Sequence, residues 1–236
     1  LDYDSMIIRE QDMQEANSVL DLLYDQRSKE ICKSIIQKRI NKEMDYSDLA
    51  KEVSQQYFDD EIVSCQINES FVDAGEFDGA TSVEFAQWAK KGYEKIVIYE
   101  PMKENIVNVE HTVRNLKNVE IHNKALWNKK ELLQFSFDGA GSSIDENGMT
   151  VEAEPLDPDS KVTFVKMDIE GAEMNALEGM KSIIMEQKPK LAICIYHLYD
   201  DLWNIPKYIH ELVPEYKLYM RHYSKINEET VIYAIL

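Results

Sequence analysis

Phe71-Val72-Asp73-Ala74-Gly75-Glu76-Phe77-Asp78-Gly79-Ala80-Thr81 reads as a short buried strand that runs into a glycine turn and then a helix. Phe71 and Val72 suit a strand, and Gly75 can adopt backbone angles closed to residues with a Cβ. Gly79 stands where the helix begins, and Ser82, Val83, Phe85, Ala86 and Ala89 supply its apolar face. Such a unit aims backbone N–H groups and the positive end of a helix dipole at a ligand. In parallel sheets that ligand lies at the carboxyl ends of the strands, and it is usually a nucleotide or nucleoside.

A second unit supports this reading. Lys95-Ile96-Val97-Ile98-Tyr99-Glu100-Pro101 is another apolar strand, and it ends on an acid 27 residues after Asp73. An acid at that place hydrogen-bonds ribose hydroxyls in doubly wound folds. The glycines narrow the ligand. A dinucleotide fingerprint wants G-x-G-x-x-G so that pyrophosphate can approach the backbone. Here the pattern is Asp73-x-Gly75-x-x-x-Gly79, with Glu76 and Asp78 inside the loop. Two carboxylates would repel a pyrophosphate, whereas a sulfonium and an amino group tolerate them, which favours S-adenosylmethionine over NAD.

From residue 70 onward strands and helices alternate. Strands are expected at 71–75, 95–100, 119–123, 163–168 and 190–197, and helices near 80–92, 102–115, 172–187 and 201–213. Met174, Leu177, Met180 and Ile184 give the third of these helices its apolar stripe. Short apolar strands separated by helices predict a parallel sheet covered on both faces. The runs 216–223 and 229–236 are joined by a link too short for a crossover helix, so they should form an antiparallel pair.

Two regions stand outside this alternation. Residues 1–62 are helical in character, without glycine or proline. Ile31, Ile35, Ile36 and Ile40 share one helical face, and Asp45 or Ser47 could cap a further helix carrying Leu49 and Val53. This segment reads as a helical cap on the main domain or as a dimer arm. Gln56-Tyr57-Phe58 could close over a ligand or simply pack. Between 127 and 161, strand-like runs at 132–137 and 149–153 flank Asp138-Gly139-Ala140-Gly141-Ser142-Ser143. That is the pattern of an inserted β-hairpin, either a lid or a surface feature.

The second chemical stretch is Thr163-Phe164-Val165-Lys166-Met167-Asp168-Ile169-Glu170-Gly171-Ala172-Glu173. Period 2 would put Lys166, Asp168 and Glu170 on one side of a strand. Charges at the end of a buried strand are costly unless paired or functional. Asp168 is then a proton acceptor, a binder of the methionine ammonium or a metal ligand. Alternatively, Lys166 pairs with an acid while Glu170 and Glu173 complement the next helix's N-terminus. After the fifth strand come Tyr196, His197, Tyr199 and Trp203. His197 is a general base suited to neutral pH or a structural histidine, and the aromatic rings stack on a sugar or belong to the core. Asp168 and His197 would also permit a divalent metal, but no third ligand is evident.

Together, Phe71-Val72-Asp73-Ala74-Gly75 with Gly79, Tyr99-Glu100-Pro101, and Val165 through Glu173 resemble the FkbM family of S-adenosylmethionine-dependent methyltransferases. The resemblance covers roughly residues 56–236, and the K-x-D-x-E-G-A-E run is its most specific part. It implies a Rossmann-like α/β fold, the class I methyltransferase sandwich. That fold has a mostly parallel seven-stranded sheet ending in an antiparallel hairpin, here spanning 63–236 behind the helical segment 1–62. It implies O-methylation of a hydroxyl on a sugar or other small natural product. Asp73, Gly75, Gly79 and Asp168 would line the cofactor, Glu100 would hold the ribose, and Lys124 and Ala125 would flank the adenine. Asp168 and His197 are the catalytic candidates, with Glu170, Tyr196 and Trp203 on the acceptor side. Where family members often carry Ala-Asn, this chain has Glu76 and Phe77. The rival readings are a cofactor-binding protein without catalysis and an NAD-dependent oxidoreductase.

Composition narrows the partners. A net charge of −18 disfavours nucleic acid and anionic membranes, and it points to a small acceptor that is neutral or cationic or else binds in a pocket screened from the overall field. No apolar run approaches the roughly 20 residues that span a bilayer, and no signal-peptide pattern opens the chain. Cys32, Cys65 and Cys194 lack metal or disulfide spacing and read as buried free thiols, as in the reducing cytoplasm. A homodimer is compatible with all of this.

Overall fold

The computed structural model describes residues 6–137, 142–144 and 149–236, with the backbone alone at 135–137 and 142–144. The chain divides into two compact units, Val63–Lys190 and a second one made of Leu1–Ile62 with Leu191–Leu236. A seven-stranded sheet has the order β10-β11-β9-β8-β1-β2-β3. Its strands are β1 (Glu69–Ala74), β2 (Tyr93–Tyr99), β3 (Val119–His122), β8 (Phe164–Met167), β9 (Lys190–Cys194), β10 (Lys217–His222) and β11 (Thr230–Ile235). The pairs β1–β2, β1–β8 and β2–β3 are parallel, and β9–β11 and β10–β11 are antiparallel. Among the described residues no helix is long and apolar enough to cross a membrane.

In Val63–Lys190 the core is built around β1, which is buried along its whole length. Phe71 stacks on Phe85 of α3 (Ala80–Trp88) at 4.2 Å between ring centres, and Phe164 meets Phe71 edge-on. Helix α4 (Lys103–Val113) follows β2 and buries Val109 and Val113. The expected helix over 172–187 is broken at Met180 into α5 (Glu173–Gly179) and α6 (Lys181–Gln187). The stripe predicted for it is buried at Leu177, Met180 and Ile184.

The region read as a hairpin is a sheet of four strands, in the order β4 (Ala125–Leu126), β7 (Met149–Glu154), β5 (Glu131–Phe137) and β6 (Ser142–Ile144). The predicted antiparallel pair is β5 with β7. Its Gly139–Gly141 tip (139–141) lies outside the described residues. Ala125, Trp127, Leu133, Val151 and Ala153 form a cluster with Ala172, and Ile169 packs against it, so this sheet braces the loop that follows β8. Close approach also requires Gly179, where an added Cβ would stand 2.1 Å from the Trp127 carbonyl oxygen.

In the other unit, α1 (Met13–Ser18) precedes α2 (Gln26–Asn41), which buries Ile31, Ile35 and Ile36 as its periodicity predicts. Asp25 caps α2 by accepting from Ser28 N–H at 2.8 Å, and its other oxygen meets Arg221 at 2.7 Å. Helix α7 (Asp201–Leu212) completes the unit. The further helix expected after Asp45 or Ser47 does not form. Asp45 instead accepts from Ser47 N–H in a local turn, a bond that competes with helix geometry. Backbone N–H groups that a helix would have used go to the C-terminal hairpin: Tyr46 N–H donates to Lys225 in its link and Lys51 N–H to His222 at the end of β10. Bridges at Leu23–Leu218 and Ala50–His222 cover the outer edge of β10, an edge that would otherwise present unpaired backbone. The three cysteines are free, and Cys65 is half-buried rather than buried.

Candidate active site

The first part of the site is built on β1 and the loop that leaves it. Gly75 has φ +81°, and a Cβ there would stand 1.7 Å from the Asp168 carbonyl oxygen. Only glycine lets this loop lie against the segment after β8, so Gly75 is a requirement of packing as well as of turning. Gly79, φ +90°, precedes α3, and its missing Cβ would meet Thr112 of α4 at 2.8 Å.

Asp73 is fully buried, and its carboxylate is engaged by protein: Ser82 Oγ donates to Oδ2 at 2.8 Å, and Lys166 Nζ lies 3.2 Å from Oδ1. Lys166 also donates to the Gly75 carbonyl at 2.8 Å. The alternation expected to align Lys166 with Asp168 and Glu170 ends early, because β8 stops at Met167. Lys166 points into the buried layer. Asp168 is half-buried beyond the strand, and Glu170 is exposed with φ +58°. Glu173 accepts from Ile169 N–H at 2.8 Å and Gly171 N–H at 2.9 Å and so fastens the loop around Asp168.

Glu76, where the family resemblance leads one to expect alanine, is buried and accepts from the backbone N–H groups of Thr81 and Ser82, at 3.3 and 3.1 Å. It is the internal cap of α3, filling N–H groups that a helix would otherwise leave to solvent or ligand. Burial, and next the Asp73 carboxylate beside it, push the Glu76 carboxyl far above the usual range. A carboxyl raised in the folded state above its unfolded value of 4.5 stabilises most below that value and loses this contribution as pH rises. Glu76→Gln imitates the protonated acid. In denaturant titrations from about pH 5 to pH 9, the wild-type chain should therefore lose stability relative to Glu76→Gln, by up to about 1.4 kcal/mol per pH unit. Parallel profiles for the two proteins would refute a buried neutral carboxyl.

Glu100 stands one residue beyond β2 and is 5 % exposed. Its Oε1 accepts from Met102 N–H at 2.7 Å and Asn105 Nδ2 at 3.2 Å, and among the described residues Oε2 meets no protein donor. Burial raises its pKa. Asn123, which the sequence reading missed, donates to the carbonyls of Glu100 and Pro101 at 3.0 and 2.9 Å and ties the ends of β2 and β3 together. An Asn just past an edge strand is the only signal it carried. Lys124 pairs with Glu154 at 2.6 Å, and Ala125 opens β4.

In the other unit, Tyr196 and His197 follow β9 and are both buried, with ring centres 4.1 Å apart. Trp203 lies inside α7 and is 5 % exposed, packed edge-on against Tyr199 at 5.0 Å. The Tyr199 hydroxyl donates to Asp12 at 2.8 Å and accepts from Arg9 N–H at 3.0 Å, anchoring the start of the chain.

The family model for the methyltransferase FkbM domain matches residues 73–225. The chain belongs to the FkbM methyltransferase family. A crystal structure of a methyltransferase FkbM from Methylobacillus flagellatus KT superposes with a TM-score of 0.83 at 24% identity, over 95% of this chain and 59% of that one. This FkbM chain thus spans about 59% of the length of that relative, and at that identity the likeness speaks for the fold. An rRNA methylase from Streptococcus thermophilus (TM-score 0.45, 14% identity, 71% of this chain and 86% of that one) is more distant. So is an Aeropyrum pernix fibrillarin in complex with natively bound S-adenosyl-L-methionine (TM-score 0.43, 10% identity, 72% and 67%). Comparison with curated proteins found no match. The FkbM-family chain has a mostly parallel seven-stranded sheet and shares the fold of that relative.

Proposed function

We propose that this FkbM methyltransferase uses S-adenosylmethionine to methylate a hydroxyl of a small, sugar-like acceptor. The observation that carries the cofactor reading is Glu76 on the first turn of α3. A dinucleotide's pyrophosphate would need those N–H groups. It would find them occupied by a carboxyl group with Asp73 beside it. Glu100 supports the same ligand from the other end, since a carboxylate oxygen without a protein donor beyond β2 suits a ribose hydroxyl. S-adenosylmethionine supplies a methyl group on a sulfonium. The chain's part is to hold the acceptor oxygen in line with the methyl carbon, an effect of positioning above all, and to take the hydroxyl proton at Asp168 or His197.

Calorimetry should detect binding of S-adenosylmethionine and of its demethylated product, and none of NAD. Glu100→Ala should weaken that binding by about 1–3 kcal/mol, the cost of leaving ribose hydroxyls without a charged acceptor. A preference for NAD would overturn the assignment, and an unchanged dissociation constant would remove Glu100 from the site. Cofactor binding without turnover on any hydroxylated acceptor would favour a binding protein over an enzyme.

A further inference from the structure

The Glu100 side chain is fixed at one oxygen and left open at the other. Its main chain is held from β3: Glu100 N–H donates to the His122 carbonyl at 3.1 Å, and Asn123 donates to the Glu100 carbonyl at 3.0 Å. The side chain is held from α4. Met102 N–H and Asn105 Nδ2 both donate to Oε1, at 2.7 and 3.2 Å. Asn105 is half-buried on the first turn of α4. All of these residues belong to the Val63–Lys190 unit. As a helix cap, Glu100 would need only the Met102 N–H. The Asn105 amide is not one of the backbone donors that a helix start leaves unfilled, so its bond serves the carboxylate and not the helix.

A carboxylate oxygen carries about two lone-pair sites, so these two donors fill Oε1. Among the described residues Oε2 meets no protein donor, and it remains the oxygen able to receive a ligand hydroxyl. The carboxylate cannot turn about its last torsion without losing the bonds to Oε1, and so they also set the direction in which Oε2 faces. Supports of this kind are what a precisely aimed side chain needs. Burial raises the Glu100 pKa, and the Met102 and Asn105 bonds oppose that rise. Lys166 of β8 lowers it as well, and Asp73 of β1 raises it. Asn105 thus favours the ionised form, in which a carboxylate is the stronger hydrogen-bond acceptor.

We infer that Asn105 is a positioning residue of the cofactor site: by holding Glu100 Oε1 it presents Oε2 to the vicinal hydroxyls of the cofactor's ribose. The inference rests on the S-adenosylmethionine reading above and deepens it. It names the one oxygen of Glu100 that reads the ribose and the side chain that aims it.

Calorimetry tests it with two probes, S-adenosylhomocysteine (the demethylated product) and its 2′,3′-dideoxy counterpart. The wild-type chain should bind the first at least about tenfold more tightly, the worth of hydrogen bonds to a charged acceptor. Asn105→Ala and Asn105→Leu should each weaken S-adenosylhomocysteine about fivefold or more and leave the dideoxy probe within about twofold, so that the preference shrinks. Alanine and leucine are better helix formers than asparagine, so a weakened α4 cannot produce that loss. A merely structural role would weaken both probes alike. Variants that keep the wild-type preference therefore overturn the inference and leave the cofactor reading standing. A wild-type chain that binds both probes equally also overturns it, since Glu100 then reads no ribose. No binding of S-adenosylhomocysteine at all overturns the S-adenosylmethionine reading itself. If one variant fails to fold, the other decides. Failure of both assigns Asn105 to stability and overturns the inference.

Discussion

Asp168→Asn and His197→Gln should each lower methyl transfer about 10²–10⁴-fold if the replaced side chain is the base that takes the acceptor's proton. Each residue stands just beyond the carboxyl end of a strand, Asp168 after β8 and His197 after β9. Both replacements keep shape while removing the capacity to accept a proton, so they separate a chemical role from a packing one. The measurement is turnover on an acceptor at saturating cofactor, with cofactor affinity followed by calorimetry. A base leaves affinity nearly unchanged while turnover collapses. Should Asp168→Asn instead abolish cofactor binding, Asp168 belongs with the cofactor contacts. Turnover that survives both changes within a few-fold means that transfer rests on positioning alone, with the proton lost to solvent.

The second large effect is on folding. Lys166→Met should destabilise the chain by about 3–5 kcal/mol, the cost of breaking a buried ion pair by removing one partner. Lys166 is 2 % exposed, and it sits 3.2 Å from an Asp73 carboxylate with no access to solvent. Glu76 is packed beside them, so loss of the ammonium leaves two buried carboxyl groups side by side. Denaturant unfolding measures the change. The double variant Lys166→Met with Asp73→Asn should recover much of the loss. A single variant as stable as the wild-type chain would mean that the pair contributes nothing.

The order of strands and helices, the glycine loop, the parallel core and the antiparallel finish were legible in residues 70–236, because each is written in local pattern. Alternating apolar runs make strands, and glycines at 75 and 79 mark turns that only they can make. A link as short as that between 223 and 229 cannot cross a sheet. The K-x-D-x-E-G-A-E run carried the family. Local pattern also misled where a distant segment competed for the same groups. The stretch after Asp45 has helix-forming residues, but its backbone N–H groups found carbonyl partners near β10, more than 170 residues away.

Which charges meet was decided only by the tertiary structure. Asp73, Glu76 and Lys166 look alike in the sequence as polar residues beside a ligand loop. Folding turns them into a buried set that caps α3 and neutralises itself, because the end of β8 lies against the end of β1. Gly75 is legible as a turn, yet the Asp168 carbonyl 1.7 Å from its absent Cβ could not be foreseen. Gln56 and Glu229 are 173 residues apart and belong to no motif. A hydrogen bond between such residues leaves no local signature, since it depends on where two strands end in space and not on what surrounds either residue along the chain.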